Sequence, residues 1–116
     1  MQTFEPSKRL LNAAEYKSVF DKPCAKAGSN EFLMLVVANN LSHPRLGVIV
    51  AKKHVKLATQ RNYYKRVFRE HFRQQYEQLP CVDCVVIARP NIKTASTQQL
   101  FTSLDKQWQK IQKQLA

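Results

Sequence analysis

Residues 57–79 read LATQRNYYKRVFREHFRQQYEQL, and this stretch decides the fold. At about 100° per residue, Leu57, Tyr64, Val67, Phe68 and His71 gather on one side of a helix. Arg61, Asn62, Lys65, Arg66, Arg69 and Arg73 gather on the other. Pro80 ends the pattern. An apolar run flanks the helix on each side, residues 46–51 (LGVIVA) and 82–88 (VDCVVIA). Both have the length and β-branched content of strands, so the centre of the chain is a strand–helix–strand crossover. The general rule makes such a crossover right-handed. A further apolar run, residues 32–38 (FLMLVVA), precedes them. Its short link through Asn39, Asn40, Ser42, His43 and Pro44 predicts an antiparallel, hairpin-like pairing of 32–38 with 46–51. None of the three runs alternates cleanly, so the sheet is expected to be covered on both faces.

Helices complete the two ends. Asn12 followed by Glu15 is a capping-box pattern opening a helix over residues 13–21, with Leu11 and Tyr16 at the hydrophobic-staple positions. Pro23, Gly28 and Ser29-Asn30 mark a break and a turn. Ser96 and Gln99 repeat the capping pattern, and Leu100, Leu104, Trp108, Ile111 and Leu115 then trace one face of a final helix. The order α-β-β-α-β-α predicts an α/β (α+β) two-layer sandwich on one sheet.

A chain of 116 residues supports a single domain, 1–116. No stretch approaches the ~20 apolar residues of a membrane span. Residues 1–8 lack the apolar core of a secretory signal. Three cysteines are too few and odd in number for a disulfide framework, and the expected setting is the cytoplasm. Cys81 and Cys84 form a lone C-x-x-C, but strand geometry turns them to opposite faces and no second ligand pair exists, so no metal site is expected. Glycine-rich phosphate loops and paired carboxylates are missing too, and no catalytic side-chain set is expected.

Nineteen Lys and Arg face eight Asp and Glu, a net charge of +11, which calls for a polyanionic partner. Lys52, Lys53, Lys56, Arg61, Lys65, Arg66, Arg69 and Arg73 with one acid, Glu70, hold seven of those eleven charges. Arg61 to Arg73 spans about 18 Å of helix. Positions 61, 65, 69 and 73 repeat like charge at i, i+4, which costs a few tenths of a kcal/mol per pair without a bound anion. A solvated face normally mixes signs, so this side reads as a nucleic-acid contact whose affinity falls steeply with salt. Asn62 is either a further RNA contact or a local cap. Tyr16 and Phe20, taken alone, read as packing of a short helix on the sheet, with base stacking as the alternative.

Arg61-Asn62-Tyr63-Tyr64-Lys65-Arg66-Val67-Phe68-Arg69-Glu70 resembles the R-N-x-x-K-R-x-x-R-E signature of the bacterial ribonuclease P protein subunit. Lys52-Lys53 stand where that family has a Lys-Lys pair ending a strand. Arg9-Leu10, Tyr16-x-x-Val19-Phe20 and the segment from Asp83 to Pro90 extend the likeness over nearly the whole chain. Tyr63 departs from the family's R-N-R triplet, and Val55 stands where a glycine is common. The resemblance implies a subunit that joins a catalytic RNA and removes the 5′ leader of precursor tRNA. The RNA would hold the catalytic Mg²⁺ and the protein alone none. No obligate protein partner is implied. Lys52, Lys53, Lys56, Arg61, Asn62, Lys65, Arg66, Arg69 and Arg73 become the RNA-facing set, and Tyr16 and Phe20 the leader cleft. A left-handed βαβ crossover is also implied by the family. A general RNA-binding protein of ribosomal type is the alternative.

Overall fold

The computed structural model describes residues 9, 10 and 12–115. The staple position Leu11 and residues 1–8 lie outside them. The elements are α1 (Ala13–Asp21), β1 (Ala25–Gly28), β2 (Phe32–Ala38), β3 (Arg45–Ile49), α2 (Ala58–Gln75), β4 (Val82–Ala88) and α3 (Thr97–Leu115). Short 3₁₀ turns follow α2 and β4. One mixed sheet runs β1-β2-β4-β3, with β4 antiparallel to β2 and parallel to β3.

The capping boxes form as read. Asn12 Oδ1 accepts from Glu15 N at 3.0 Å. Ser96 Oγ accepts from Gln99 N at 3.1 Å while Gln99 Oε1 accepts from Ser96 N at 2.8 Å. The expected hairpin of β2 with β3 does not form. The two run antiparallel, but β4 lies between them, so the 39–44 link spans a strand's width instead of turning tightly. Asn39 holds that link, donating to His43 O at 3.0 Å, and Asn40 takes a left-handed conformation (φ 58°) that asparagine tolerates. The hairpin lies one strand earlier, where β1 pairs with β2 around a turn closed by Ser29 N to Phe32 O at 2.9 Å. β1 escapes a sequence reading because Ala, Lys, Ala and Gly have little strand propensity.

Alternation along the strands builds two apolar layers. Phe32, Met34, Val36, Leu46, Val48, Cys84, Val86 and Ala88 face α2 and α3, forming the main core with Tyr64, Val67, Phe68, Phe72, Leu100, Leu104, Trp108 and Ile111. Phe32 meets Phe68 edge-on at 5.5 Å. Leu35 and Val85 face the other way, under Val19 of α1 and Leu10. Leu57, expected on the apolar side, is 60% exposed, because the helix begins one residue later and Leu57 keeps extended backbone. Val55 is buried instead. Both sheet edges are occupied. Arg9 bridges to Leu46 beside β3, and the Gln114 amide takes both backbone groups of Lys26 on β1, at 3.1 and 2.8 Å.

Candidate nucleic-acid interface

α2 buries one side in the core and turns its basic side outward. Asn62 and Arg66 are exposed, as are Lys52 and Lys53 in the turn after β3 and Lys56 just before the helix. Lys65, Arg69 and Arg73 are half-buried. Arg61 does a local job, its Nη1 donating to the carbonyls of Val55 (2.9 Å) and Lys56 (2.8 Å), which fixes the entry to a helix lacking a side-chain cap. Arg73 is held by Glu70, at 3.1 Å from Nε and 2.5 Å from Nη2. This contact pulls the Glu70 carboxyl below its ordinary range. Tyr63 ties α2 to α3 through Thr97 Oγ1 instead of adding a cation.

The sheet face under α1 is only partly covered. Leu33, Ile87 and Ile49 form one cross-strand row on it and stay half-buried. Tyr16 lies flat over Gly47, where an ideal Cβ would stand 2.6 Å from the ring. This close approach is why a glycine sits in the middle of an edge strand. Phe20, one turn on, is 42% exposed. Arg45 fastens α1 in place. Its guanidinium reaches Asp83 in a two-bond fork (2.8 and 2.7 Å) and Glu15 of α1 at 2.6 Å. Asp83 raises the Arg45 pKa further above its ordinary value.

Arg69 joins the two surfaces. Burial, and then the positive charge of Arg9, push its pKa down, while Tyr16 acts on it in the opposite sense. A desolvated guanidinium beside a second arginine and an aromatic ring favours an incoming anion. The basic side of α2 and the open face under α1 are therefore continuous. Sequence reading missed Arg9, Arg45 and the row Leu33–Ile87–Ile49. The odd-numbered positions of β2 and β4 carried the signal for that row, but an unbroken apolar run hides which side stays open. Among the described residues, no three His, Cys, Asp or Glu side chains converge on a common point. Cys84 is buried in the core and Cys81 exposed before β4. His71 is buried, its Nε2 2.6 Å from Asp105 Oδ1.

Residues 4–112 match the Ribonuclease P family model. The ribonuclease P protein component of Pseudomonas aeruginosa is 43% identical over 108 residues, 93% of this chain and 80% of that protein. That of Aliivibrio salmonicida is 44% identical over 108 residues, 93% of this chain and 92% of its own. A solved variant of the Staphylococcus aureus RNase P protein with defective mRNA degradation activity superposes with a TM-score of 0.83 at 29% identity, over 89% of this chain and 86% of that one. The Thermotoga maritima RNase P protein gives 0.74 at 27% identity, over 84% and 92%. The chain belongs to the ribonuclease P protein family, whose members are the protein component of the enzyme that matures the 5′ end of tRNA.

Proposed function

We propose that this subunit contacts the catalytic ribonuclease P RNA through the basic side of α2, and the single-stranded 5′ leader of precursor tRNA through the half-covered face beside Tyr16 and Phe20. The observation that carries this reading is the continuity of the two surfaces at Arg69, next to Arg9 and Tyr16. Phosphates are met by Lys52, Lys53, Lys56, Lys65, Arg66 and Arg69. Arg61 and Arg73 first hold the helix entry and Glu70, and Asn62 adds an exposed amide. Unpaired leader bases stack on Phe20 and the Tyr16 edge, with the apolar row Leu33–Ile87–Ile49 beside them.

Cleavage and the Mg²⁺ ions that serve it are assigned to the RNA. Glu15 and Asp83 already face Arg45, Glu70 faces Arg73, and Asp21 faces Lys17. A carboxylate held by a cation is a poor candidate for the metal-dependent activation of water. The protein's part is electrostatic, holding leader and RNA core together so that less magnesium is needed. The expected compartment is the cytoplasm. Among the described residues no helix is long and apolar enough to cross a membrane.

The test is 5′ leader removal by a bacterial ribonuclease P RNA, at magnesium too low for that RNA to act well alone. Adding the folded chain should raise cleavage strongly, and the chain alone should cut nothing. No gain from protein that binds RNA would favour a general RNA-binding role. Cutting by the protein alone would return catalysis to its own side chains.

A further inference from the structure

On the far side of α3 from the His71–Asp105 contact, a groove of about 490 Å³ lies between the β1–β2 turn and the first turns of the helix. Ser29, Thr102, Ser103, Lys106 and Gln107 line it. The Gln107 side chain is only 3% exposed, yet its Oε1 has no hydrogen-bond partner among the described residues. A buried amide oxygen without a donor costs free energy, so an unsatisfied one at a groove asks for a ligand that brings an O–H or N–H. Phosphate alone does not answer that, because it carries only acceptors at neutral pH. The charge around the groove is nonetheless positive. Lys106, Lys110 and Lys113 are exposed at helical spacing along this side, and the one acid of α3, Asp105, is engaged by His71. Hydroxyls supply the remaining lining. A ligand that is anionic and also donates from an alcohol fits all of this, and a ribose–phosphate unit is such a ligand.

We propose that this groove is a second RNA contact, in which Gln107 Oε1 accepts from a ribose 2′-hydroxyl while Lys106 meets the adjoining phosphate. It rests on the preceding reading only in taking RNA as the partner. α3 packs over β1, at the opposite edge of the sheet from β3 and its Arg9 bridge, so the groove is distinct from the α1 face. An RNA strand bound there is told from DNA by the 2′-hydroxyl, which the deoxy sugar lacks.

The experiment is amide chemical-shift mapping of the full chain, titrated with a short uridine oligoribonucleotide and with its deoxyuridine counterpart. The ribo-oligonucleotide should move resonances of α2 and, separately, Ser29, Thr102, Ser103, Lys106 and the Gln107 side-chain amide. The deoxy strand should move the α2 set and leave the groove set nearly unmoved. Gln107→Leu should weaken groove binding about fivefold and erase its sugar preference, with the α2 shifts intact. Lys106→Ala, at an exposed position, serves if Gln107→Leu perturbs the fold, and should weaken both strands at the groove. Shifts confined to α2, or equal groove responses to the two sugars, would overturn the groove and leave the α2 reading standing. No response at α2 or the groove would overturn both.

Discussion

Replacing Arg45 with Met tests how the candidate leader face is assembled. The substitution keeps most of the side-chain length and removes the guanidinium. Asp83, only 5% exposed, would then keep one donor, Asn39 Nδ2 at 3.0 Å, and lose both forked bonds. Removing one partner of a buried ion pair costs about 3–5 kcal/mol. The Arg45 side chain is 20% exposed and Asn39 remains, so about 2–3 kcal/mol is expected. Urea unfolding followed by Trp108 fluorescence would show a midpoint lower by about 1–2 M at an unchanged slope. Adding Asp83→Asn should return much of that loss, because the stranded charge goes too. Leader-dependent affinity should fall as well, since Glu15 no longer meets the guanidinium that holds α1 over Gly47. A loss below about 0.5 kcal/mol, or full additivity with Asp83→Asn, would refute the idea that one charge network seats the helix.

Gly47→Ala should cost about 1–3 kcal/mol by pushing the Tyr16 ring, a loss that Tyr16→Ala in the same chain should cancel in the unfolding midpoint. Phe20→Ala should weaken binding of leader-bearing precursor more than of mature tRNA; equal losses in a filter-binding assay would make it a packing residue only. Arg66→Ala should reduce cleavage with the RNA subunit several-fold and flatten the salt dependence by about one ion, while Lys113→Ala, away from α2, does little to cleavage. Burial keeps the Cys84 thiol protonated well above its ordinary range, so native protein should show two reactive thiols, Cys24 and Cys81. The sign follows from proton counts. Above about pH 8.5 the unfolded chain gives up this proton and the folded one keeps it. The contribution is complete below the unfolded value, and stability then falls by about 1.4 kcal/mol per pH unit. Cys84→Ala should remove that component from the pH dependence of unfolding.

What could be read from the sequence was local. The α1 and α3 starts follow from side-chain oxygens three residues from the amides they cap, and both caps form. β2 and β4 follow from unbroken apolar runs, and those runs also said that both faces of the sheet are covered. Strand order was not local. A six-residue link between antiparallel strands suits a hairpin, and nothing in residues 39–44 says that a strand from 82–88 inserts between them. The basic side of α2 was legible as charge, but the work of its members was not. Arg61 binds carbonyls of the preceding turn and Arg73 binds Glu70, contacts set by where the helix begins and how it crosses the sheet. Arg9 was invisible because its place comes from a bridge to Leu46, thirty-seven residues away.

The length of α1 determines how much of the candidate leader face stays open. Its nine residues rise about 14 Å, whereas the seven residues of β2 alone extend about 23 Å and four strands add about 14 Å of width. One such helix cannot roof that face in any orientation. Pro23 keeps it short, because the residue before a proline avoids helical backbone, and Lys22 is accordingly non-helical at φ −147°, ψ 74°. The uncovered remainder is apolar along Leu33, Ile87 and Ile49 and bordered by the arginine at position 69. In an isolated domain, a longer α1 would bury more of that row and add stability. Leaving it half-buried beside a desolvated cation makes sense if the missing cover is a strand with flat bases to stack and phosphates to pair, which is the chemistry of unpaired RNA.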